Sequence, residues 1–269
     1  MQATEWFRRE WTTLSIMRIF ALSDVHVDYH ANAQWIENIS TADYCDDLLI
    51  LAGDITHSLP SFEWCLNTLA RRFRKVLFVP GNHDLWVLHA PPEEDSLQKL
   101  ETISAVVESS GASMQPLYER NVSIIPLLSW YDYSFGAPGE KLRSRWMDYY
   151  ACRWPNGLTD AGVAAHFAAC NNHQVSATSD TVITFSHFLP RIDLMPEYVP
   201  AKYRSLYPVL GTTQLDLQLR ALHSSIHIYG HSHFNRHVKI DGVTYINNAF
   251  GYPHETRIAS KNLLCVYEC

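Results

Sequence analysis

A chain of 269 residues, 47% hydrophobic, 12% aromatic and 18% charged, can bury a sizeable core and is not composed like a disordered segment. Its formal charge of −7 argues against broad electrostatic binding to extended nucleic acid or to an anionic membrane. No apolar run reaches the roughly 18 residues that a membrane-spanning helix needs.

Residues 1–16 carry Glu5, Arg8, Arg9 and Glu10 without an apolar run. They read as an N-terminal extension, disordered and not a secretory leader. Arg18–Ser23, Leu48–Ala52 and Lys75–Val79 are short apolar runs that stop at polar or turn residues, which predicts buried strands. Between them Asn32–Ser40 and Ser61–Arg72 have helical apolar spacing, with Ser61 as a predicted N-cap. Ser96–Ser109 is a third amphipathic helix, ended by Gly111. This alternation predicts parallel pairing through crossover helices. Val122–Leu128 is a further strand. Residues 129–158, rich in Trp, Tyr, Gly, Pro and Arg, are irregular and read as an insertion or cap. Thr159–Ala177 is predicted helical and Thr181–Phe185 a strand. Residues 188–211 are a Pro-containing loop, and Thr212–His223 is a helix capped by Thr212 or Thr213. The tail is strand-rich: Ser225–Tyr229, His237–Ile240, Val243–Ile246 and Leu263–Tyr267, with Asp241-Gly242 as a hairpin turn. Residues 17–269 thus read as one domain.

Six cysteines (Cys45, Cys65, Cys152, Cys170, Cys265, Cys269) lie apart with no C-x-x-C pair. They are expected to be reduced and mostly buried, which points to the cytoplasm.

Five polar clusters each follow a predicted strand: Asp24-Val25-His26, Gly53-Asp54, Gly81-Asn82-His83-Asp84, Ser186-His187 and Gly230-His231-Ser232-His233. Ligands of open α/β sheets bind beyond the carboxyl ends of strands. Asp, Asn and His delivered there make a set of metal donors. The absence of Cys disfavours a closed structural zinc site and suits Mn, Fe, Zn, Ni or Co. In extended backbone, residues two apart point the same way, so Asp24 and His26 are expected to grip one ion. His231 and His233 share that spacing and either do the same or straddle two ions. Asp54, following a glycine, could bridge two metals with its two oxygens, an arrangement suited to in-line displacement at phosphorus.

The ordered series D-x-H, GD, GNHD, SH and GHSH, spanning residues 24 to 233, resembles the calcineurin-like metallophosphoesterase superfamily. The resemblance implies an α/β fold, a four-layer α/β/β/α sandwich of two mixed sheets. It implies a first metal on Asp24, His26 and His233, a bridge at Asp54, and a second metal on Asn82, His187 and His231. Water activated on the metals would attack phosphorus in line. His83 would face the phosphoryl group as proton donor to the leaving oxygen, with Asp84 orienting or tuning its ring. Purple acid phosphatases of the superfamily have a tyrosine three residues after the GD aspartate. Here His57 stands there, which disfavours an iron–tyrosinate centre and reads as a surface histidine.

The expected activity is metal-dependent hydrolysis of a small phosphorylated substrate, a phosphomonoester or phosphodiester. A small-nucleotide phosphodiesterase, pyrophosphatase or nuclease is the alternative. A non-catalytic scaffold is disfavoured because no ligand position is lost. Arg143 and Arg145 in the aromatic stretch, and His254 and Arg257 after Pro253, are candidate substrate contacts. The stretch around Trp130, Tyr131, Tyr133, Phe135, Trp146, Tyr149, Tyr150 and Trp154 is either packed core or a cap that stacks on an aromatic group and, with Arg143, Arg145 and Arg153, binds phosphate. His223, His227 and His237 read as structural or solvated.

Overall fold

The computed structural model describes residues 16–88, 90–172 and 179–269. Residues 1–15 of the predicted extension and 173–177 of the predicted helix lie outside them. In chain order the elements are β1 (Arg18–Leu22), α1 (His30–Glu37), β2 (Leu48–Leu51), α2 (Leu59–Ala70), β3 (Lys75–Phe78), α3 (Ser96–Ser109), β4 (Leu117–Glu119) and β5 (Val122–Pro126). Then follow α4 (Glu140–Arg143), α5 (Asp148–Ala151), α6 (Asp160–Cys170), β6 (Thr181–Phe185), α7 (Thr213–Ala221), β7 (Ile226–Tyr229), β8 (Arg236–Ile240), β9 (Val243–Asn247) and β10 (Leu264–Glu268).

The strands form two mixed sheets, one ordered β10-β1-β2-β3 and the other β4-β5-β6-β7-β9-β8. Strands β1, β2 and β3 pair in parallel, as do β5, β6, β7 and β9, while β10, β4 and β8 are antiparallel edges. One core lies between the sheets: Ile19, Ala21, Leu48, Ile50, Leu77 and Val79 meet Val122, Ile124, Ile183, Phe185, Ile228 and Ile246. The alternate residues, such as Leu49, Leu51, Phe78, Val182 and Tyr245, join a second core with helix residues Ile36, Phe62, Ile103, Phe167 and Leu215. Both faces of each sheet are therefore covered, which is the four-layer sandwich. It also explains why the central strands read as unbroken apolar runs and not as alternating ones. The β8 edge does alternate, carrying Arg236, His237 and Lys239, of which His237 and Lys239 are exposed, a charged edge that discourages further strand pairing.

Local chemistry explains most element ends. Asp95 caps α3 in a reciprocal capping box with Gln98, Thr159 caps α6, and Thr212 caps α7. Helix α2 starts at Leu59 with Pro60 in its first turn, so the expected cap Ser61 lies inside the helix and Ser58 stands at the N-cap. Asp241-Gly242 turns β8 into β9 with φ of 47° and 87°, as the sequence predicts. The three-residue strand β4 carries too little pattern to be read from sequence. The loop 188–211 contains 3-10 turns at Ile192–Leu194 and Ala201–Val209.

All five polar clusters lie just beyond strand ends: those of β1, β2 and β3 in one sheet, and of β6 and β7 in the other. An isolated parallel bridge between Ser23 and Ala249 links the sheets at that edge, so loops from both converge on one seam.

Candidate metal centre

Asp24, His26, Asp54, His231 and His233 all have positive φ, from 44° to 65°. Non-glycine residues seldom adopt this left-handed conformation, and five in one site mark backbone strain concentrated at a functional place. Asp24 and His26 thus reach the same pocket with left-handed φ at both residues, and not by the extended backbone the D-x-H spacing led one to expect. Gly53 has φ 84°, and a Cβ there would come within 2.5 Å of His187 Nδ1 and 2.6 Å of the Gly81 nitrogen. A Cβ on Gly81 would lie 2.2 Å from Asp54 Oδ1. Three loops can close together only because these two positions lack side chains.

Two groups of donors share Asp54. In the first, His233 Nε2 lies 3.3 Å from Asp24 Oδ1 and 3.1 Å from His26 Nε2, and His26 Nε2 is 3.9 Å from Asp54 Oδ2. In the second, His187 Nε2 lies 3.2 Å from Asn82 Oδ1, 3.2 Å from His231 Nδ1 and 3.5 Å from Asp54 Oδ2. Metal–ligand bonds of about 2.1 Å separate two ligand atoms by roughly 3.0 Å at right angles and roughly 3.4 Å in a tetrahedron.

The tautomers decide whether these residues fit a metal. His187 Nδ1 donates to the Ala52 carbonyl at 2.8 Å, and His231 Nε2 donates to the Val209 carbonyl at 3.0 Å. Each neutral ring therefore turns a bare nitrogen lone pair inward, toward the oxygens of Asn82 and Asp54. Lone pairs facing one another at these distances call for a cation between them. His233 Nδ1 is likewise fixed by Glu255 Oε2 at 2.6 Å. Such outer partners are the usual means of orienting metal-bound imidazoles. The donor set fits transition metals.

The charges follow the same division. Burial opposes protonation of His233, but Asp24 and Glu255 beside it hold its imidazole up to about 10. Burial likewise works against the Asp24 carboxylate, and His233 outweighs it, holding Asp24 well below its ordinary range. Burial pushes His26, His187 and His231 down. Asp54 is pushed well up, first by burial and then by Asp84 and Asp24.

His83 stands over this centre. Its ring stacks on Trp86 at 3.7 Å, packs edgewise on His26 at 4.7 Å, and places Nε2 3.9 Å from Asp54 Oδ2. Burial pushes it down to about 3. Asp84 does not serve that ring as the sequence led one to expect. Its two oxygens accept the backbone N–H groups of Asp54 (2.8 Å), Ile55 (2.9 Å), Thr56 (3.1 Å) and Gly81 (2.8 Å), clamping the GD loop to the GNHD loop. The nearby His57 is partly exposed beside Asp28, with Nδ1 3.7 Å from Oδ1.

Two carboxylates that the sequence does not reveal complete the surroundings. Glu255 folds back through a turn, its N–H donating to the Tyr252 carbonyl at 2.9 Å. Asp148 accepts from Asn82 Nδ2 at 2.8 Å, so the amide oxygen is the atom turned to His187. Tyr252 packs its ring 4.6 Å from His26 and 4.8 Å from His233. The four residues expected to touch substrate are all exposed. Arg143 lies over the Tyr133 ring, His254 stacks at 5.9 Å on Tyr252, and Arg145 and Arg257 stand on the same two surface segments. Arg153 donates to the Pro91 and Val87 carbonyls. Trp130 and Tyr131 are fully buried core, while Trp146 presents its ring edgewise to His231 at 5.9 Å. The cysteines are free, but only Cys65 is buried, and Cys45 and Cys170 are exposed, contrary to the expectation of mostly buried thiols.

Residues 17–235 match the family model described as calcineurin-like phosphoesterase. The [acyl-carrier-protein] phosphodiesterase PptH of Mycobacterium tuberculosis is 27% identical over 264 residues, covering 89% of this chain and 79% of that protein. The crystal structure of that organism's phosphopantetheinyl hydrolase PptH superposes with a TM-score of 0.77 and 25% identity, over 93% of this chain and 95% of that one. TT1561 of Thermus thermophilus gives 0.47 and 12%, over 86% and 89%. The chain belongs to the calcineurin-like phosphoesterase family and is a metal-dependent hydrolase of phosphoric esters.

Proposed function

We propose that the chain cleaves the phosphodiester joining a phosphopantetheinyl group to an acyl carrier protein, at a centre that holds two metal ions. The observation that carries the substrate is the likeness to PptH over nearly the whole of both chains, at a TM-score of 0.77. Coverage of 93% of this chain and 95% of that one goes beyond the motif-bearing loops common to the family. The observation that supports two ions is the pair of donor groups on either side of Asp54, whose Oδ2 lies 3.9 Å from His26 Nε2 and 3.5 Å from His187 Nε2.

Asp24, His26 and His233 would hold one ion and Asn82, His187 and His231 the other, with Asp54 between the two groups. Bound there, Mn, Fe, Zn, Ni or Co ions supply Lewis-acid charge and make water nucleophilic at neutral pH. The protein supplies position. Trp86 holds the His83 ring in one plane above Asp54, and a phosphoryl anion beside that ring favours its protonated form. His83 Nε2 then gives its proton to the leaving oxygen. Residues 129–158 act as a cap over this edge, where Arg143 and Arg145 on one side and His254 and Arg257 on the other meet the substrate. Six unpaired thiols support a reducing compartment, and we read the location as the cytoplasm.

The test is the intact mass of a phosphopantetheinylated carrier protein incubated with Mn(II)-loaded enzyme. The carrier should lose its phosphopantetheinyl group. An unchanged carrier alongside rapid hydrolysis of bis(4-nitrophenyl) phosphate would overturn the substrate and leave the diesterase. His83→Ala should keep its metal and lose about 10²–10⁴-fold in turnover on an alkyl leaving group, and far less on 4-nitrophenolate. Full turnover with the alkyl ester would remove His83 from the acid role.

A further inference from the structure

One buried carboxylate in the cap segment accepts from three side chains that each lead to the centre. Asp148 opens the short helix α5 and is 3% exposed. Three side chains donate to it. Asn82 Nδ2 and Trp86 Nε1 each reach Oδ1 at 2.8 Å, and Trp146 Nε1 reaches Oδ2 at 2.7 Å. Each donor leads to a residue of the centre. Asn82 offers its oxygen beside His187, Trp86 lies flat against His83, and Trp146 stands edge-on to His231.

An amide can present either its oxygen or its nitrogen to a neighbour, and the two ends have nearly the same shape. Nothing in the Asn82 backbone selects the oxygen. Asp148 does, because a carboxylate accepts and never donates, so it can pair only with the NH₂ end. The same property lets it take the two indole N–H groups, which are donors only. We propose that Asp148 is a positioning residue that fixes the metal-binding face of Asn82, and through Trp86 the plane of His83, thereby tying the occupancy of the second donor group to the cap segment 129–158. This rests on the reading of Asn82 as a ligand.

The same geometry dictates what a neutral substitute does. In Asp148→Asn the new amide can turn its oxygen to Asn82 and Trp86, but its NH₂ then faces the Trp146 N–H, donor against donor at 2.7 Å. Turned the other way, it faces Asn82 Nδ2 and Trp86 Nε1 with its own NH₂. Removing the Trp146 donor in Asp148→Asn/Trp146→Phe leaves the first orientation free of conflict.

Mn(II) titration of the metal-free protein by calorimetry, with folding checked by circular dichroism, reads this directly and without turnover. Wild type should show a weaker and a tighter site. Asp148→Ala should weaken one site at least about tenfold, the usual effect of losing an outer partner of a ligand. Asp148→Asn should weaken that site too, and the double variant should recover most of the loss, reaching the affinity of Trp146→Phe, its reference. A merely structural role would lower the melting midpoint and leave the Mn(II) affinities of the folded variants unchanged, and that result overturns the proposal. If Asp148→Ala fails to fold, the pair Asp148→Asn and its double variant decides the matter: equal affinities in both and in wild type overturn it. If wild type itself takes up no Mn(II), the metal centre is wrong and not merely the role of Asp148.

Discussion

The two donor groups each bring two imidazoles and one side-chain oxygen together but are neutralised differently. The first has two carboxylates around His233, Asp24 at 3.3 Å and Glu255 at 2.6 Å, and without metal it keeps a proton on that ring. The second has no carboxylate of its own. His187 and His231 turn their protons outward to carbonyls, and the carboxyl facing His187 Nε2 at 3.5 Å is that of Asp54, pushed well up by burial. A metal entering the first group therefore displaces a proton from histidine. At the second, burial and the neighbouring carboxylates Asp84 and Asp24 oppose ionisation of the carboxyl shared by both groups, and a cation there would favour it. The lesson is that a symmetric motif list conceals an asymmetric centre, with Asp54 as its pivot.

The largest expected effect comes from removing that pivot's charge. Asp54→Asn keeps an acceptor for the His83 N–H and puts an NH₂ among the inward lone pairs, imitating the protonated carboxyl. It should lose metal from both groups and fall by more than the roughly 100-fold typical of an outer partner. The metal-free variant should nevertheless melt above metal-free wild type, because a buried carboxyl that resists ionisation has been replaced by a neutral donor. Metal analysis with thermal unfolding checks both halves. A variant that kept one metal would show that the groups do not depend on a common residue.

Glu255→Gln separates the groups. The glutamine oxygen can still accept from His233 Nδ1, but the charge is gone. Metal affinity of the first group should fall about 10–100-fold, with the second untouched. Equilibrium dialysis that showed both sites weakened alike would erase the distinction drawn between them.

That contrast was only half legible in the sequence. Strand runs such as Leu48–Leu51 are apolar on both faces because both faces are covered, so the central strands and the donors at their ends could be read directly. The donors' partners could not. Asp148 meets Asn82 across 66 residues, from within an aromatic stretch that has no period. Glu255 reaches His233 only because the chain turns at Tyr252–Glu255, and attention to residue type had favoured its neighbours His254 and Arg257. Asp84 sits beside His83 in sequence, but its side chain faces four backbone N–H groups, a contact that only the closed loops create. The positive φ of Asp24 and His26 likewise arises from loops pressed together at the seam, which residue spacing does not encode.

The smallest effect is on the pH dependence of the metal-free protein, and here the groups should pull in opposite directions. His233 is held up to about 10, above its unfolded value near 6.5, so the stability it contributes is fully present below about 6.5 and lost as pH rises through about 10. His187 and His231 are pushed down by burial. Between their lowered values and about 6.5 the unfolded chain takes up the protons they refuse, so stability there falls as pH falls. The melting midpoint of the metal-free protein should therefore decline above neutrality, by about 3 °C or more at pH 10, with a shallower acid limb because Asp54 and Asp84, pushed up by burial, favour the protonated form there. His233→Asn should flatten the alkaline limb, and His231→Asn should soften the acid one. An alkaline limb unchanged in His233→Asn would mean that the first group does not hold its proton on histidine, and the two groups would then have to be described as alike.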